Sequence, residues 1–127
     1  MGYIKHKAEE SMEDYLETIL LLQKRNGKVR SIDIATELEF TKASVSVAMK
    51  GLREKGLITM AETGYISLTD EGLVKAENVL ERHNLLTEWL IKLGVSEEIA
   101  VRDACKIEHD ISEETFNILK NHCLKRP

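Results

Sequence analysis

Between Ser31 and Gly56 two short amphipathic helices follow one another with only Glu39-Phe40 to turn the chain between them. Ser31 is the predicted N-cap of the first, which turns Ile34, Ala35 and Leu38 inward. Thr41 is the predicted N-cap of the second, which runs to about Lys55 and closes at Gly56. Phe40 and Val45 are spaced as a hydrophobic staple around that cap. Val45, Ala48, Met49 and Leu52 form one face of the second helix, while Thr41, Lys42, Ser44, Ser46, Val47 and Lys50 form the other. So short a turn between two one-sided helices admits few arrangements, and the pattern predicts a helix-turn-helix. Strand-like runs at Leu57–Met60 and Tyr65–Leu68 then flank Glu62-Thr63-Gly64, a hairpin in the position of a wing.

Helices are predicted for the remainder. Residues 7–25 place Met12, Tyr15, Leu16, Ile19 and Leu22 on one side, and Asn26-Gly27 stops them. Asp14 and Glu17 are i, i+3 neighbours away from that stripe. Thr69 caps a long fourth helix, with Asp70 and Glu71 in its first turn and Leu73, Ala76, Leu80, His83, Leu86 or Thr87, Leu90 and Leu93 at three-and-four spacing. Gly94 ends it. A fifth helix spans about Glu97 to Asp110, and a last one, capped by Ser112, carries Phe116, Leu119 and Cys123.

On the fifth helix, Cys105, Glu108 and His109 stand at i, i+3 and i+4, so a thiol, a carboxylate and an imidazole share one face. These are transition-metal ligands. Ala100, Ala104, Ile107 and Ile111 form a separate stripe, so the helix is expected to pack without burying its ligand face.

The chain has 127 residues, 43% apolar and 31% charged, with a single proline and 5% aromatics, as in a mainly α globular protein. No apolar run approaches the ~18 residues of a membrane span, and the N-terminus has no signal-peptide core, so a cytoplasmic protein is expected. In that compartment Cys105 and Cys123 are not expected to form a disulfide. A net charge of −4 argues against coating nucleic acid by bulk charge but leaves room for a local basic patch. No nucleophile with oxyanion donors is laid out, so no enzyme is expected.

Four features occur in order: Ser11-Met12-Glu13-Asp14-Tyr15-Leu16-Glu17, the winged helix-turn-helix, Glu81-Arg82-His83-Asn84-Leu85-Leu86, and Cys105-Lys106-Ile107-Glu108-His109. Together, over roughly residues 7–123, they resemble the diphtheria-toxin-repressor family of metal-activated transcription repressors, whose other branch is the manganese transport regulators. The resemblance implies a winged helix-turn-helix DNA-binding domain at 1–69 and a helical metal-binding and dimerisation domain at 70–127. It implies metal ligands at Asp14, Glu17, His83, Glu108 and His109. Cys105 agrees with the iron branch, whereas the manganese branch has Glu there. Thr87 and Val101 depart from the iron branch's ancillary ligand set.

The expected function is repression by a homodimer that one or two divalent ions per chain lock for binding a palindromic double-stranded operator of metal-homeostasis genes. Trp89 and the last helix are candidate dimer contacts. Thiolate chemistry at Cys105 narrowly favours Fe(II) over Mn(II), and no organic cofactor or membrane partner is expected. Phosphate contacts are assigned to Lys42, Lys50, Arg53 and the helix start at Thr41, and base contacts to Ser44, Ser46 and Val47 or Ala43. The alternative is a winged-helix DNA-binding regulator that does not sense metal.

Overall fold

The computed structural model describes residues 2–121, with side chains from Ser11 onward, so Cys123 lies outside the described residues. The described elements are α1 (Gly2–Asn26), α2 (Ser31–Leu38), α3 (Lys42–Glu54), β1 (Ile58–Met60), β2 (Ile66–Leu68), α4 (Asp70–Lys92), α5 (Glu97–Asp110) and α6 (Glu113–Leu119). They divide into two compact units, residues 1–77 and 78–127. Helix α1 begins several residues earlier than its apolar periodicity indicates.

The first unit is a three-helix cluster with a two-stranded wing. Leu16 and Ile19 of α1, Ile34 of α2, and Val45 and Met49 of α3 are buried at its centre. Strands β1 and β2 pair antiparallel, with Thr59 opposite Ser67. Val29 extends the ladder by an isolated bridge to Ile66, whose N–H donates to the Val29 carbonyl at 2.7 Å. Thr41 caps α3 as expected, its hydroxyl accepting from the Ser44 N–H at 3.1 Å.

At α2 the capping differs from expectation. Ser31 is the first helical residue and Arg30 holds the extended N-cap position. The Arg30 N–H donates to Asp33 Oδ2 at 2.9 Å, so the carboxylate of the first turn does the capping. Phe40 is half exposed rather than tucked into the core, and its ring meets Tyr15 edge-on at 6.0 Å between centroids.

The start of α4 is laced to the wing within the first unit. Thr69 Oγ1 donates to the Gly56 carbonyl at 2.7 Å and accepts from the Gly72 N–H at 3.1 Å. The Thr69 N–H donates to the Leu57 carbonyl at 3.0 Å. Gly72 is required here, because a Cβ at this position would lie 1.9 Å from the Leu57 carbonyl oxygen.

The buried line of α4 differs from the predicted stripe. Ala76, Val79 and Leu86 are buried, while Leu73 and Leu93 are exposed. Leu73 lies in the first turn of α4 and Leu93 just past its last residue, where the periodicity continues but the described residues leave it exposed. In the second unit Ala100 and Ala104 of α5 and Phe116 of α6 are buried. Among the described residues no helix is long and apolar enough to cross a membrane.

Candidate metal centre and nucleic-acid interface

In the second unit the fold brings α4 and α5 together around one carboxylate. Glu108 is 1% exposed and His109 8%, which corrects the expectation of a solvent-facing ligand side. Positions 100, 104 and 108 are four apart and form one row on a helix, so Glu108 continues the row begun by Ala100 and Ala104. Ala100, Ala104 and Glu108 are therefore enclosed together on the packed side of α5.

An isolated buried carboxylate costs several kcal/mol unless it is paired. Glu108 has that pairing. His83 Nδ1 lies within hydrogen-bonding distance of its Oε2 at 3.0 Å, and His109 Nε2 lies 3.4 Å from its Oε1. Cys105, half-buried, offers its Sγ to the same group, and Cys105, Glu108 and His109 each have a ligand atom within 4.8 Å of the others. Donors at adjacent positions around a divalent ion with bonds of ~2.1 Å stand roughly 3–3.4 Å apart. The nitrogen, oxygen and sulfur donors suit a divalent transition metal and lie near enough for one ion to draw them together.

In the first unit Asp14 and Glu17 occupy successive turns of α1, and both are half-buried. Beside them Tyr15 is buried, which pushes its phenol above the usual tyrosine range, and the Asp14 carboxylate pushes in the same direction.

All eight residues assigned to DNA lie on the exposed side of α3 or at its start: Thr41, Lys42, Ala43, Ser44, Ser46, Val47, Lys50 and Arg53. Val47 is 73% exposed while Val45 and Met49 on the opposite face are buried. An apolar side chain so exposed on a polar and basic face suits contact with a thymine methyl.

Two further features were missed in the sequence. Lys28 Nζ and Arg30 Cζ sit 4.9 and 4.3 Å from the centroid of the Tyr65 ring, which concentrates positive charge on the wing. Their alternation around buried Val29 was the available signal. Arg82, between Glu81 and His83, reaches carbonyls 26 and 29 residues onward, a relation no local spacing encodes.

A winged helix-turn-helix with an exposed polar and basic recognition face, followed by helices that gather two imidazoles, a carboxylate and a thiol, defines a DNA-binding regulator with a metal-type ligand cluster. Two family models match in succession: the N-terminal DNA binding domain of iron dependent repressors over residues 7–66, and their metal binding and dimerisation domain over residues 69–125. The Transcriptional regulator MntR of Escherichia coli O157:H7 is 39% identical over 111 residues, covering 87% of this chain and 72% of that protein.

Two solved structures agree in fold. A manganese-dependent transcriptional repressor in complex with manganese has a TM-score of 0.78 at 27% identity, with 87% of this chain and 51% of that one covered. IdeR of T. acidophilum has a TM-score of 0.73 at 27% identity, with 90% and 55% covered. This chain thus spans about half the length of those two. It belongs to the iron-dependent repressor family. It is a metal-dependent transcriptional regulator rather than an enzyme, with a DNA-binding domain followed by a metal-binding and dimerisation domain.

Proposed function

We propose that His83, Cys105, Glu108 and His109 hold the regulatory metal, with Asp14 and Glu17 of α1 completing the ligand set around one ion or two carboxylate-bridged ions. The observation that carries this reading is the fully buried Glu108 carboxylate between two imidazoles, with the Cys105 thiol beside it. When bound, a divalent ion supplies the positive charge that lets three carboxylates, two imidazoles and a thiolate stay gathered.

The chain's own part follows from connectivity. Asp14 and Glu17 lie on the first helix of the DNA-reading unit, so engaging them restricts how that unit can move. The ordering cost of operator binding falls accordingly, and the metal-bound state is the binding-competent one. Exposed Ile91, Leu93, Val101 and Ile118 of the second unit, together with half-buried Trp89, are the surface we assign to a symmetric homodimer. Two recognition helices held about one helical turn of DNA apart then suit a palindromic operator of metal-homeostasis genes. In each, Lys42, Lys50, Arg53 and the α3 start at Thr41 hold phosphates, and Ser44, Ser46, Val47 and Ala43 face the bases.

The metal identity rests on Cys105. The carboxylates suit Mn(II), and the soft sulfur tips the set narrowly toward Fe(II). A gel shift on a candidate operator with chelator, Mn(II), Fe(II) and Co(II) in turn tests the reading. Retardation should require metal, and Fe(II) or Co(II) should act at lower concentration than Mn(II). Equal retardation with chelator present would refute metal-dependent binding.

A further inference from the structure

Glu81, Arg82 and His83 are consecutive on α4, and each fastens a different part of the second unit. Glu81 accepts from Lys120 Nζ at 3.0 and 3.1 Å, and His83 hydrogen-bonds Glu108. Arg82 Nη1 donates to the backbone carbonyls of Glu108 at 3.0 Å and Ile111 at 3.2 Å. Its guanidinium also stands 5.3 Å from the centroid of the Phe116 ring on α6. The last four carbonyls of a helix have no partner within the helix. Arg82 therefore supplies donors where α5 runs out of them, and a cation there complements the negative end of the helix dipole.

Glu108 and His109 belong to that same final turn. If its carbonyls lost their donor, the turn could fray or rewind, and both side chains would swing with it. Ligand placement tolerates only about 0.5 Å of error. We infer that Arg82 is a positioning residue for the metal ligands Glu108 and His109, acting through the backbone that carries them. The inference rests on the assignment of those two residues as ligands. Lysine is only a partial substitute, since an ammonium on a flexible stem can donate but lacks the rigid plane that stands over the Phe116 ring.

Titration of the full chain with Co(II), followed by visible absorption, tests this alongside melting of the metal-free protein. Arg82→Met should melt lower yet cooperatively, raise the Co(II) dissociation constant roughly 10–100-fold, and alter the Co(II) absorption envelope. Arg82→Lys should fall between it and the wild type. Wild-type constants and spectra in both variants, whatever their melting behaviour, would overturn the inference. Should Arg82→Met not fold, Arg82→Lys decides alone: a raised constant supports the role and an unchanged one overturns it. A wild type that does not take up Co(II), or Glu108→Gln binding it as tightly as wild type, instead defeats the ligand assignment, and the positioning role with it. Loss of binding in Glu108→Gln with unchanged Arg82 variants defeats only the role of Arg82.

Discussion

His83 Nδ1 lies 3.0 Å from Glu108 Oε2, joining α4 to a carboxylate that is wholly enclosed on α5. This contact gives Glu108 two roles that substitution can separate. Glu108→Gln keeps the shape and a hydrogen-bonding oxygen but removes the charge. It should bind Mn(II) and Co(II) at least tenfold more weakly while the metal-free protein melts close to wild type. Glu108→Ala also removes the 3.0 Å contact with His83 and should destabilise by about 2 kcal/mol. Calorimetric metal titration together with thermal melting checks both, and equal melting for the two variants would contradict the pairing.

At Cys105 the wager concerns metal preference. Cys105→Glu exchanges a soft donor for a hard one and should shift activation of operator binding toward Mn(II). Cys105→Ala should lower the response to Fe(II) more than that to Mn(II). The measurement is the ratio of half-activating concentrations in a gel shift. An unchanged ratio in Cys105→Ala, with no thiolate charge-transfer band on Co(II) addition to the wild type, would remove sulfur from the ligand set.

On the exposed side of α3, Lys50→Ala should weaken binding to every sequence and make the slope of log affinity against log salt shallower by about one unit. Val47→Glu should be more damaging, since it sets a carboxylate against the groove. Fluorescence anisotropy over a salt series reads both, and unchanged affinity in both would take this helix out of the interface.

The close approach of Gly72 to Leu57 predicts a failure that helix propensity alone would get backwards. Alanine is about 1 kcal/mol better than glycine inside a helix. Here its Cβ would stand 1.9 Å from a backbone oxygen that cannot move without disturbing the wing. Gly72→Ala should destabilise by about 1–3 kcal/mol, as overpacked sites do. Denaturant unfolding measures it, and a stability gain would show that α4 can shift away from the wing at little cost.

Much of this protein is local in character and therefore readable along the chain. The Thr41 cap, the phase that buries Val45 and Met49 while exposing Val47, and the placing of Cys105, Glu108 and His109 on one face all follow from helical geometry. The membership of the iron-dependent repressor family was visible in the ordered motifs, because the spacing of those motifs along each helix survives in a single sequence. Other properties depended on what lay across from a residue. Ser31 reads as a cap by type, yet the carboxylate of Asp33 reached the Arg30 N–H first. Leu73 and Val79 are equally apolar, and only the packing of other elements decided that Val79 is covered and Leu73 is not. Glu108 reads as a solvated carboxylate until its row on α5, shared with Ala100 and Ala104, is buried and His83, from 25 residues earlier, arrives as its partner. The partners of Arg82 carry no signal, since they are backbone carbonyls, which every residue possesses. Sequence records the preferences of each residue for its neighbours along the chain, and only the tertiary structure determines which distant atom satisfies them.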